Sequence, residues 1–206
     1  MTVQEIIDYA RNGELRQLSI AEISSDPLVQ AQRDAAIITY INLGLIELYK
    51  RFSLSVKAEI VRTTPAVNMY YLRNLDIFRI INIYDASGKP LIEPQTLEDE
   101  EYDVKPITPT VYLFREPIDE EVAFVYIASP ERVTKVTDEV VLLDIMLESL
   151  LHYIGYRAHG AMNGNVDGEN NTHYLRFEKS CDELKLLGFG QVVSMPLRAL
   201  NSKGFV

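Results

Sequence analysis

The chain has 206 residues, 47% of them apolar and 24% charged, with a formal net charge of −10. These values suit one globular domain, or one domain with a large insertion, and exclude disordered and fibrous classes. No run approaches the roughly 18 consecutive apolar residues of a membrane span, no basic stripe marks a nucleic-acid surface, and a single cysteine, Cys181, excludes an internal disulfide.

The charge is unevenly spread. Residues 53–136 carry 14 acids and 9 bases, and residues 137–188 carry 9 acids and 4 bases. The last 18 residues hold Arg198 and Lys203 and no acid. An acidic body with a weakly basic end points to protein partners. The N-terminal MTVQEIIDYARNGEL holds Glu5 and Asp8 and lacks an apolar core region, so it does not read as a secretory signal.

Residues 3–10 predict a short helix, with Val3, Ile6, Ile7 and Ala10 on one side and Asn12-Gly13 as the stop. Residues 14–25 read as a connector with one turn of helix. Asp26-Pro27 then opens a second helix over 27–52: Asp26 can accept the first free N–H groups, and Pro27 has no donor to lose at the first helical position. Ile38, Ile41, Leu45, Leu48 and Phe52 give it a buried stripe, Ala31, Ala35 and Ala36 allow close approach, and Gly44 is a weak point costing roughly 1 kcal/mol against Ala.

The period changes at residue 55, where SVKAEIVRT alternates. Further strand-like runs follow at 67–72, 77–84, 89–92, 110–115 and 120–128. Asp85-Ala-Ser-Gly88 predicts a hairpin turn. Pro65, Pro90, Pro94, Pro106, Pro109 and Pro117 forbid long central strands. Helical spacing is expected again over 138–159, with Thr137-Asp138-Glu139 as cap and first-turn acids, and over 172–187, with Tyr174, Phe177, Cys181 and Leu184 inward and Gly188 as a left-handed cap.

The fold class is therefore α+β: a helical bundle with an inserted small antiparallel β domain and an extended C-terminal tail. Residues 1–52 and 137–188 supply the bundle, 53–136 the insertion, and 189–206 the tail, with the β unit projecting from the helices.

Candidate chemistry is sparse. Asn163, Asn165, Asp167 and Gly168 resemble half a calcium loop, but the first position is not an acid and the twelfth is Tyr174 rather than Glu. His152 and His159 lie seven apart on one helix, and Glu148 and His152 four apart. A hydrogen-bonded or solvated pair explains them as well as a metal does, and zinc would want further ligands such as a cysteine. The run Glu98-Asp99-Glu100-Glu101-Tyr102-Asp103 and the group Asp119-Glu120-Glu121 read as solvated carboxylates, not an acid–base pair. Cys181 reads as a small buried hydrophobe. No phosphate loop, GxGxxG, GxSxG or Cys–His pairing is present. The expectation is no catalytic residue, no metal and no cofactor. Met69, Tyr70, Tyr71, Tyr112, Phe114, Phe124 and Tyr126 alternate along the strands, which fits either one aromatic core or a core plus a partner face.

The tail is the segment that stands out. Val192, Val193, Met195, Leu197, Leu200 and Phe205 are too many apolar groups for a merely solvated end, and Arg198 and Lys203 oppose the body in sign. These eight residues are the expected partner-binding set. An extended chain of this length reaches up to roughly 60 Å. Packing of the tail on its own domain is the competing reading.

Three stretches together resemble the bacteriophage head-to-tail adaptor (connector) family of the tail tubular protein A type: DPLVQAQRDAAIITYINLGLIELYKRF before the switch to strands, VTDEVVLLDIMLESLLHYIGYRAHG, and THYLRFEKSCDELKLLGFG after a short polar loop. The β insertion is longer, and the first helix shorter, than that family's pattern. The resemblance implies a structural virion protein, not an enzyme: a homo-oligomeric ring of about twelve subunits beneath the portal protein, contacting a tail or nozzle protein. DNA would pass through the lumen without specific binding, and no membrane would be involved. It further implies a place in the virion neck after assembly in the host cytoplasm. A small soluble ligand-binding or regulatory domain, with its ligand between β unit and helices, is the alternative; an enzyme comes third.

Overall fold

The computed structural model describes residues 1–91, 104–163 and 169–190. The chain divides into two compact units: Met1–Phe52 with the described chain from Pro130 on, and Ser53–Ser129.

The helical unit starts with α1 (Val3–Asn12), held by a capping box in which Thr2 and Glu5 satisfy each other's backbone N–H groups. Val3, Ile6, Ile7 and Ala10 are buried, as their spacing predicts. The connector makes one 3-10 turn at Ser19–Ala21. Helix α2 (Pro27–Phe52) begins where Asp26 Oδ1 accepts the Leu28 N–H at 2.9 Å. Its stripe of Ile38, Ile41, Leu45, Leu48 and Phe52 is buried. Ser53, at φ 52, turns the chain out of the helix. Helices α3 (Leu147–Asn163) and α4 (Glu169–Leu186) complete the unit. At the end of α4 the Gly188 N–H bonds to the Lys185 carbonyl, and the Phe189 N–H to that of Leu184. Gly188 stands at φ 91, the left-handed cap its position calls for.

The third helix starts later than its pattern predicts. Residues 138–143 are not helical, a 3-10 turn follows at Asp144–Met146, and α3 opens at Leu147. Tertiary partners take the backbone that a helix would use. The Val3 N–H bonds to the Asp138 carbonyl, the Val140 N–H to that of Met1, and Thr2 bridges Glu139. The Asp138 carboxylate caps backward, accepting the N–H groups of Thr134 and Lys135 at 2.7 and 2.9 Å, so it is not free to cap a helix ahead of it. The preceding chain already packs in the helical unit. The Asn42 amide exchanges both hydrogen bonds with the Val133 backbone (2.8 and 3.0 Å), and the Tyr49 hydroxyl donates to the Val141 carbonyl at 2.7 Å.

In the β unit, β1 (Val56–Arg62), β6 (Glu121–Ala128) and β3 (Ile77–Tyr84) form one antiparallel sheet in the order β1-β6-β3. A second has the order β2-β5-β4, from β2 (Met69–Tyr71), β5 (Val111–Phe114) and β4 (Val104–Thr108). Strand β4 was not expected, because Pro106 interrupts it; on an edge strand the missing donor is tolerated. The Asp85–Gly88 turn forms as predicted, with the Gly88 N–H on the Asp85 carbonyl and Gly88 at φ 83. Of the expected strand at 89–92, residues 89–91 make a bridge between Tyr84 and Pro90 and one bond from the Leu91 N–H to the Ile83 carbonyl, and Ile92 lies outside the described residues.

Ile83, Val104, Tyr112, Phe114, Val122 and Phe124 form the unit's core across both sheets. Phe124 meets Tyr112 at 5.1 Å and Phe114 at 6.4 Å between ring centroids. Tyr112, Phe114 and Phe124 therefore serve one core, while Tyr71 stands 66% exposed. Among the described residues, no helix is long and apolar enough to cross a membrane.

Candidate functional site: a carboxylate among three histidines

Among the described residues, a polar cluster converges on Glu14, in the helical unit. Glu14 follows α1 directly, and its neighbour Leu15 is fully buried, which anchors the chain at this point. Arg11 adds a second anchor, reaching Asp34 of α2 at 2.6 Å. The Glu14 side chain thereby points at α3, which supplies His152 and His159, and at α4, which supplies His173 and Arg176.

Glu14 Oε1 lies 3.0 Å from His152 Nδ1. An ionised carboxylate only accepts, so this contact places the His152 proton on Nδ1. His152 Nε2 faces Glu148 Oε1 one turn away, at 3.5 Å. Glu14 Oε2 lies 2.7 Å from His173 Nδ1, at contact distance but out of line for a hydrogen bond. Arg176 Nη1 stands 3.9 Å from the same oxygen. His159 Nε2 is 3.1 Å from the Glu14 backbone carbonyl, which requires the nitrogen to donate. The rings of His159 and His173 stack at 4.4 Å with an interplanar angle of 21°. Gly155 makes the room: a Cβ there would lie 3.0 Å from His173 Nδ1 and 3.1 Å from Glu14 Cβ.

Burial lowers the His173 pKa below the ordinary imidazole value. Glu14 opposes that shift, while His159, Arg176 and His152 add to it. The folded cluster therefore disfavours a proton on His173, at a point where three separate stretches of backbone meet. Among the described residues, no three His, Cys, Asp or Glu side chains converge as a metal ion would need.

Sequence reasoning found the pair Glu148–His152 but missed Glu14, which lies 138 residues from His152 along the chain. No local spacing signals such a contact. The expected tail residues Val192, Val193, Met195, Leu197, Arg198, Leu200, Lys203 and Phe205 lie outside the described residues, as do Asn165, Asp167 and the acidic run 98–103. Asn163 is the last residue of α3. Asp119 pairs at 2.9 Å with Arg62, both well exposed, which matches its reading as a solvated carboxylate. Cys181 is fully buried, and burial pushes its thiol up to about 11. Of the expected inner face of α4, Phe177, Cys181 and Leu184 are buried, but Tyr174 stays at the rim, 36% exposed, against Tyr156.

A second polar tie crosses from α2 to α4. Arg51 grips Glu178 through two bonds of 2.9 and 2.6 Å, and its guanidinium lies 4.7 Å from the centre of the Phe177 ring. In the β unit a cavity of about 300 Å³ is lined by Leu91, Val104, Phe114 and Ile118 with Arg115, Glu116 and Glu120.

Comparison with known proteins gives one family. The model of the family described as SU10 adaptor protein matches residues 1–199. No curated protein matches the chain.

Proposed function

This chain belongs to the SU10 adaptor protein family, a phage head-to-tail adaptor family, and from that premise we propose that it is a ring-forming structural subunit of the virion neck. It joins the portal protein to the tail or nozzle protein, and about twelve copies close the ring. It has no enzymatic role. DNA crosses the lumen without specific binding, and the ring is assembled in the host cytoplasm.

The observation that carries this reading is the extent of the family match, which runs through the helices, the β unit and into the tail. Two physical features support it. The net charge of −10 suits a channel that must repel DNA rather than hold it. Large apolar side chains also stand in solvent, among them Ile23 (83% exposed), Leu75 (91%) and Val141 (77%) in connecting segments and Leu186 (87%) at the end of α4. Such groups suit surfaces that neighbours cover in an assembly.

The tail has its own place in this proposal. Val192, Val193, Met195, Leu197, Arg198, Leu200, Lys203 and Phe205 dock on the portal or a neighbouring subunit, adding on the order of 1,000 Å² of interface.

The test is direct. The purified chain, alone and mixed with the portal protein of the same phage, is measured by light scattering and imaged by negative stain. Ring-shaped particles, or a complex seated on the portal, are expected. A chain that stays monomeric in both samples overturns the proposal.

A further inference from the structure

Glu14, His152, His159, His173 and Arg176 join three stretches that are distant in sequence: the chain after α1, the middle of α3 and the first half of α4. We propose that the cluster is an acid-sensitive latch, which holds the first half of α4 against α3 while its imidazoles are neutral and loosens it when the stacked pair takes up protons. The inference stands independently of the ring assignment.

The argument is geometric. With neutral imidazoles, the charged groups at the centre are Glu14 and Arg176, one of each sign. Protonation of all three histidines would set four cations against Glu14 and Glu148. Glu148 gives little help, because it touches only the outer nitrogen of His152 and is 78% exposed. Glu14 is already in contact with His152, His173 and Arg176. The tightest conflict is the stack. Two imidazolium rings 4.4 Å apart repel, and the His173 side chain, 13% exposed, is poorly screened by water. Gly155 lets His173 and Glu14 lie close against the α3 backbone, which leaves the stacked rings little free space on that side.

The direction in pH follows from His173. Its folded pKa lies below the ordinary value of 6.5, through burial first and the neighbouring cationic and imidazole groups next. The opened state thus binds the proton more readily. The latch is at full strength above the ordinary histidine value and weakens as pH falls through it.

The second half of α4 has a different fastening. Arg51 and Glu178 hold it, together with buried Cys181 and Leu184. The Glu178 carboxyl sits below its ordinary value of 4.5, chiefly through its hydrogen bonds from Arg51. That tie survives mild acid. Loosening should therefore begin at the start of α4 and stop partway along it.

Hydrogen exchange on the full-length chain reads this directly. Amide protection is compared between about pH 7.5 and about pH 5.5, a range that spans histidine titration, after correction for the intrinsic rate. Residues 172–177 are expected to lose protection several-fold on acidification, and residues 178–186 to change little. His173→Gln keeps a polar side chain beside Glu14 but takes up no proton, and should abolish the response. Equal behaviour of the two halves, or a full response in H173Q, overturns the proposal. If H173Q does not fold, the ring proton resonance of His173 in the unaltered chain decides: titration below the ordinary imidazole range supports the latch, and titration at or above it overturns the idea.

Discussion

Gly44 of α2 and Leu150 of α3 are in direct opposition: a Cβ on Gly44 would lie 2.5 Å from Leu150 Cδ1 and 3.1 Å from Tyr153 Cδ1. Leu150 is fully buried and Tyr153 nearly so, which limits how far either can retreat. The glycine is what lets the two helices meet at this point.

Propensity and packing therefore oppose each other at position 44. Gly44→Ala gains roughly 1 kcal/mol of helix propensity. Overpacking a full core costs about 1–3 kcal/mol. The net expectation is a loss of about 1 kcal/mol, and a larger loss for Gly44→Val. Thermal melting of both variants checks the order. An alanine variant more stable than the parent would mean that the α2–α3 contact is looser than described.

The Arg51–Glu178 pair makes a pH-dependent contribution. Its side chains are 23% and 32% exposed, so the low end of the charge-assisted range applies. Glu178→Gln should cost about 1 kcal/mol near neutral pH. Because the folded pKa of Glu178 is depressed, its contribution is complete above the ordinary value of 4.5 and is lost as pH falls through the folded value. Denaturant unfolding of parent and variant at a series of pH values should show the two curves converging in acid. A constant gap would mean that the charge of Glu178 contributes nothing.

Cys181 should be chemically silent in the folded chain. It is fully buried, and its thiol is pushed up to about 11, so almost no thiolate exists at neutral pH. A thiol-specific disulfide reagent at mildly alkaline pH should label one cysteine per chain in denaturant and none without it. Rapid labelling of the native chain would show that the Cys181 face of α4 opens readily.

Removal of residues 191–206 separates folding from assembly. The deletion leaves the α4 cap at Gly188 and Phe189 intact. On the proposed reading, the shortened chain melts as a folded subunit but no longer docks on the portal or its neighbours. A shortened chain that fails to fold would place the tail in its own core, and the partner-binding proposal for those residues would go.

What could be read from the sequence was whatever a few adjacent residues settle among themselves. Asp26-Pro27 fixes the start of α2, because the cap and the missing proline donor act within one turn. The 3–4 spacing of Ile38, Ile41, Leu45, Leu48 and Phe52 names its buried face, and Gly188 its neighbour's end. Other features depend on groups brought together only by folding. Residues 138–143 carry a helical pattern, yet they pair with Met1–Val3, which offers their backbone a different set of partners. Gly44 looks like a flaw in a helix until Leu150 and Tyr153 are set against it. Three histidines with no metal spacing become a cluster only when Glu14 is placed between α3 and α4. Local rules decide which elements form; the packing of side chains far apart along the chain decides where those elements begin and which charges must share a space.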